Sequence, residues 1–303
     1  MAAGLREGGV NRVVLLTDGQ ANVGLVEPGQ LTGLCQQRVK AGISTTTIGF
    51  GEDYDEDLLK AMADAGHGGT YYIEKVDQAS GVFEEELKGL LSLAAQNVRV
   101  TVQPGADAEF VQVHHEYPSR AKGDVLTLEV GDLYAREPRR ILMQFLLPAG
   151  QDWTGRVADV ARLTVTAHVV TEDGGVELHE IKLPVTLSAE EGGRAEPEIR
   201  KEILLVEAAR LRQEALQARD RGDWEAASVS LHSFRERYAA SGVRDASIDE
   251  ELGDLESSAL AFDACRLGPA DVKYMKQRAY SAHRSRHEQV KRYRRGKDPD
   301  GTE

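Results

Sequence analysis

The apolar residues of this chain repeat with one period, then a second, then a third, and each period admits a different kind of domain. Up to about residue 95, short β-branched runs alternate with segments of helical spacing. Arg12 to Thr17 reads as a strand, stopped by Asp18-Gly19. Leu31, Leu34, Cys35, Arg38 and Val39 then recur at helical spacing as far as Gly42. Ile43 to Phe50 is a second strand. Asp53, with Glu56 three residues on, opens a helix in the manner of a capping box, and Gly66 stops it. Thr70 to Ile73 is a third strand and Ala79 to Leu93 a third helix. Strands separated by helices run parallel through right-handed crossovers, so residues 1–95 are predicted to form a doubly wound sheet.

From Asn97 the period becomes two. Val98, Val100 and Val102 alternate with polar residues, as do Leu163, Val165 and Ala167, and Ile181, Leu183 and Val185. Turn signals such as Pro104-Gly105, Lys122-Gly123 and Asp173-Gly174-Gly175 separate the runs. Six or seven short strands of this kind predict an antiparallel β-sandwich over residues 96–189. Glu190 to Glu198 is a polar linker, and residues 198–296 are helical. Gly222 suits the left-handed position after one helix, and Asp223 can cap the next. That pair resembles a single tetratricopeptide-type hairpin, without the repetition of an array. Helices over about Ile248 to Leu267 and Ala270 to Arg295 complete the module.

Three regions suit a length of 303 residues. With 41% apolar and 29% charged residues the chain is of ordinary globular composition. Its apolar runs are too short for a membrane span, and its first residues lack the apolar core of a secretory signal. Cys35 and Cys265 are expected to be two unrelated buried thiols, and a cytoplasmic location is expected for the chain as it stands. Net charge is −13, unevenly spread. Ten basic residues lie between Asp271 and Lys297, opposed only by Asp271 and Glu288, a local +8 that leaves −21 over the rest. The basic last helix is therefore expected to dock on the chain's own acidic body, and nucleic-acid binding is not expected.

The segment NRVVLLTDGQANVG (Asn11 to Gly24), with Ala41 to Leu87 after it, resembles the C-terminal half of a von Willebrand factor type A domain. The segment GDLYAREPR (Gly131 to Arg139) is similar to text in bacterial proteins that join such a domain to a β-sandwich and trailing helices. The resemblance implies a protein-binding module whose Mg2+ or Mn2+ is held by oxygen ligands from three loops at the carboxyl ends of the strands. Asp18, in Thr17-Asp18-Gly19, matches the third loop. The first loop, D-x-S-x-S, and the Thr of the second have no counterpart here. One carboxylate will not hold the ion, so no metal is expected on this chain unless an N-terminal half completes the site. The family's strand order, three-two-one-four-five-six, makes Arg12 to Thr17 strand four and leaves its neighbour, strand one, missing. A longer polypeptide, or a broken gene product, is the expectation that follows, because Val13 to Leu16 would otherwise form an uncovered apolar edge.

Other constellations carry no chemistry. Gly49-x-Gly51 and Gly66-His67-Gly68-Gly69 match no phosphate-binding pattern and are read as turns. Asp53, Asp55, Glu56 and Asp57 suit a helix's first turn better than a calcium loop. His114 and His115 are read as neighbours in a strand, facing opposite sides. His283 and His287 lack the intervening Glu of a zinc helix. Nothing argues for an enzyme. The expected function is non-enzymatic protein interaction, metal-dependent in the complete form. The alternative is a scaffold that binds through the helical hairpin and basic helix, with the type A half as a relic.

Overall fold

The computed structural model describes residues 9–51, 53–73, 79–84, 92–135, 138–149, 153, 155–188 and 196–284. The chain divides into two compact units. One comprises Met1–Phe110, Tyr117–Glu137 and Phe145–Ser188; the other comprises Val111–Glu116, Pro138–Gln144 and Ala189–Glu303.

The first unit opens with β1 (Asn11–Thr17), α1 (Pro28–Lys40), β2 (Ile43–Phe50), α2 (Glu56–Ala65) and β3 (His67–Ile73), followed by helical residues 79–84, α3. The strands pair in the order β1-β2-β3 and both pairs are parallel, with Val13 opposite Thr45 and Ile48 opposite Tyr71. Central β2 is buried on both faces. Cys35 of α1 packs with Leu58 and Met62 of α2 against Leu15 of β1. That burial raises the Cys35 thiol pKa, while a hydrogen bond with Thr45 lowers it less. On β1, Val14 and Leu16 are exposed.

Three local expectations change here. The α2 N-cap is Asp55, not Asp53: its side chain accepts from Leu58 N at 2.9 Å. The third strand starts at His67, three residues early. Gly68 is a strand residue rather than a turn, since a Cβ there would lie 2.1 Å from the Thr45 carbonyl oxygen. Gly49 likewise sits within β2.

Seven further strands follow: β4 (Leu93–Pro104), β5 (Glu109–Val113), β6 (Ser119–Lys122), β7 (Val125–Tyr134), β8 (Met143–Leu146), β9 (Val157–Val170) and β10 (Val176–Ser188). Five of them form one antiparallel sheet in the order β10-β9-β4-β7-β6, and β5 pairs with β8. Leu93 opens a strand instead of ending a helix. Phe145 of β8 packs on Ala158, Val160 and Ala161 of β9. β4 is bulged between Gln96 and Arg99, where Asn97 takes a φ of 52°.

The second unit is built on α4 (Pro197–Asp220), α5 (Trp224–Ser241), α6 (Ala246–Asp263) and α7 (Pro269–His283). Gly222 has a φ of 80°, and the Asp223 side chain caps α5 by accepting from Ala226 N at 3.0 Å. Leu211, Leu231, Phe234, Ile248, Leu255 and Phe262 form the core, with Val272 and Met275 of α7 added to it. Ala279 and Ala282 of α7 pack on Ala209 of α4. The last described helix therefore docks on its own unit. Lys273, Arg278 and Arg284 are buried; six of the ten basic residues, with His287 and the expected C-terminal fraying, lie outside the described residues. Cys265 is exposed, contrary to expectation, because it follows α6 in a left-handed turn with φ 49°; both cysteines are free. Among the described residues, no helix is long and apolar enough to cross a membrane.

Candidate functional site

In a parallel sheet the loops after each strand lie at one end, and ligands gather there. Asp18 stands at that end, directly after β1, and is exposed. Thr17 Oγ1 donates to Gly19 O at 3.0 Å and accepts from Gly19 N at 3.3 Å. This local pair turns the chain tightly around Asp18. After β2, Gly51 N donates to Ile73 O at 2.9 Å and ties the ends of β2 and β3 together. The buried Tyr54 ring lies over Gly49 and 6.2 Å from the Tyr72 ring. Burial raises the Tyr54 hydroxyl pKa well above its ordinary range, with Tyr72 and Glu56 adding to it.

Asp18 is a hard oxygen donor, as a divalent cation requires. Among the described residues, however, no three His, Cys, Asp or Glu side chains come together to hold an ion. Asp53, Asp55 and Asp57 follow β2 at the same end of the sheet without completing such a group. Mg2+ and Mn2+ take several oxygen ligands, of which Asp18 offers one.

The opposite end of β1 holds a polar group that local sequence reading did not predict. Arg12 is buried there with Asp132, and the two form an ion pair. Arg12 also donates to Tyr134 Oη at 2.6 Å and to Ser44 Oγ at 3.0 Å. The other Asp132 oxygen accepts from Asn97 N at the β4 bulge, at 3.3 Å. Asn97 Oδ1 is 2.9 Å from His67 Nδ1 at the start of β3. This network fixes the amino ends of the parallel strands to β4 and β7. It also gives GDLYAREPR a physical role, because Asp132 and Tyr134 are the residues that grip Arg12.

The second unit has two buried polar groups of its own. His115 follows β5 rather than lying in it. Its Nδ1 accepts from Leu142 N at 2.9 Å, which leaves Nε2 to donate to Glu202 at 3.0 Å. Glu251 of α6 is paired with Arg212 of α4 and Arg278 of α7. Burial works against the Arg278 charge, but Glu251, Tyr274 and Asp254 outweigh it and the pKa is raised.

A family model for the von Willebrand factor type A domain matches residues 1–85. The uncharacterised protein YfbK of Escherichia coli is 30% identical over 116 residues, which cover 37% of this chain and 20% of that protein. The uncharacterised protein sll0103 of Synechocystis sp. is 26% identical over 169 residues, covering 52% of this chain and 40% of that protein. The chain thus spans less than half the length of the curated relatives it matches. Among solved structures, a von Willebrand factor type A protein from Catenulispora acidiphila aligns with a TM-score of 0.58 at 18% identity, over 81% of this chain and 57% of that one. The likeness is one of fold.

Proposed function

We propose, on the premise that this chain carries von Willebrand factor type A sequence of bacterial kind, that it is a non-enzymatic protein-interaction protein whose binding end is the carboxyl end of the β1–β3 sheet. The observation that carries this reading is the coincidence of Asp18, exposed after β1 in a parallel three-stranded sheet, with the family match to residues 1–85. The sheet is the C-terminal half of the type A fold, and the antiparallel strands form the sandwich that accompanies it. Metal-dependent binding belongs to a complete site, in which Asp18 supplies one Mg2+ or Mn2+ ligand and other segments supply the rest. The two free thiols suit a reducing, cytoplasmic setting.

A second reading, a scaffold binding through α4, α5 and the basic helix, draws on exposed Val229 of α5. It is weakened for α7, whose Lys273 and Arg278 are buried within the unit.

The test has two stages. Calorimetric titration of the chain with Mg2+ and Mn2+ should show no micromolar site; one that disappears in Asp18→Ala would overturn the incomplete-site reading. Partners captured by cross-linking in the native host are then compared across Asp18→Ala, chelator and raised salt. Sensitivity to Asp18→Ala supports the sheet end. An interaction indifferent to it, but weakened by Val229→Glu or by salt, transfers the function to the helices.

A further inference from the structure

β10 is a 13-residue strand at the edge of the five-stranded sheet, and most of it is exposed. Residues directly opposite one another in neighbouring strands share a face. One such row runs Leu128, Val100, Val165, Ile181 across β7, β4, β9 and β10. A parallel row runs Leu126, Val102, Leu163, Leu183. In the first row Leu128 is 1% exposed and Val100 7%, but Ile181 is 56% exposed. In the second, Val102 is 1% exposed and Leu183 47%. The apolar face is thus covered at its centre and is exposed at β10; among the described residues, no strand pairs with the outer edge of β10, and the antiparallel bridge of Gly9 with Gly175 lies just before it.

We propose that this edge pairs with the β10 edge of a second copy of the chain, antiparallel, about a two-fold axis through Ile181 and perpendicular to the sheet. Charge decides both the occupant and the register. Such an axis keeps each face of the sheet on the same side in both copies, so it must pass through a residue. Centred on Ile181, it places Glu180 opposite the mate's Lys182, and Lys182 opposite the mate's Glu180. Centred on Glu180 or Lys182, it would set like charges face to face, which destabilises a pair. In the single chain these two side chains already bond each other at 3.1 Å on one side of the strand, with both largely exposed. Pairing exchanges that contact for two contacts across the axis. Ile181 then meets its mate, and the row continues into Val165 and Val100 of the second copy. Leu178, 70% exposed, packs against the mate's Pro184. Pro184 lacks an N–H, so at most one hydrogen bond per protomer is lost. The straight pairing of β10 with β9 runs from Val176 to Val185, and the symmetric contact lies inside that span.

The test is sedimentation equilibrium on the full chain. The wild type should be a dimer that dissociates on dilution. Lys182→Glu and Glu180→Lys should each raise the dissociation constant at least tenfold, while the double exchange Glu180→Lys/Lys182→Glu restores it, since unlike charges again oppose. Ile181→Cys in a Cys265→Ser background should oxidise to a dimer linked through position 181. A wild-type chain that stays monomeric, or a dimer that both single reversals leave unchanged, overturns the proposal. Recovery in the double variant also separates the effect from misfolding, which an added substitution would not reverse.

Discussion

Buried Arg12 has its charge balanced by Asp132 and also donates to Tyr134 and Ser44. Removing one member of such a pair leaves the other buried and uncompensated, at a cost of about 3–5 kcal/mol. Asp132→Ala should therefore lower stability by about that amount, read as a fall in the urea midpoint with the slope retained. Exchanging Arg12 and Asp132 together for Met and Leu should recover most of the loss, because no orphaned charge remains. A smaller effect is expected at Asp245, where bonds from Lys201 and then Ser247 hold the carboxyl down at about 2, below its ordinary 3.8. A pKa depressed in the folded state contributes stability that is present above the unfolded value and lost as pH falls through the folded one. The wild type should thus lose this contribution between about pH 4 and pH 2, and Asp245→Asn should show a shallower acid slope over that interval. Equal slopes would count against the assignment. Both groups show what a one-dimensional reading misses: 120 positions separate Arg12 from Asp132, and no local pattern links them.

At the scale of the element, legibility followed periodicity. The alternation of β-branched runs with helical spacing was enough to predict three parallel strands with helices between them, and period two was enough to predict antiparallel pairing after Asn97. Ends were less legible, because contacts made elsewhere in the chain set them. β3 starts at His67 since Gly66 and Gly68 permit close approach to Thr45 of β2, whereas sequence alone reads Gly-rich text as a turn. Leu93 belongs to β4 because it pairs with Tyr134, a partner that helical spacing cannot reveal. Gly49 makes the point testable. A Cβ at this position would lie 2.2 Å from the Tyr54 ring, and a buried ring above a central strand has little room to retreat. Gly49→Ala should cost about 1–3 kcal/mol through overpacking. Gly49→Ala combined with Tyr54→Ala should cost less than the separate costs of the two substitutions added together, because the clash is gone. Simple additivity in a denaturation cycle would show that the ring moves aside freely.

For the molecule as a whole, the sequence's uneven charge predicted that the C-terminal helix would be held in cis. The docking of α7 does so through a different balance of forces. A helix drawn only by net charge would keep its cations hydrated and would lose its hold in salt. In α7, Val272, Met275, Ala279 and Ala282 are buried, and Arg278 is paired with Glu251 out of reach of solvent. Burying a Val or Met side chain contributes about 1.5–3 kcal/mol. Losing two of them, with smaller terms from the alanines, takes away about 4 kcal/mol, a large share of the 5–15 kcal/mol typical of a domain. Truncation after Gly268 also leaves Arg212 as the remaining Arg partner of Glu251 and uncovers the α4 and α6 surfaces. The helical unit should then unfold at markedly lower temperature, or lose its cooperative transition, and its loss should be nearly independent of salt. Truncation after Arg284 leaves every described contact of α7 in place, so a loss confined to the longer deletion assigns the effect to this helix. An unchanged melting midpoint after the longer deletion would mean that α7 is an appendage. A midpoint that falls only at low salt would return the docking to charge.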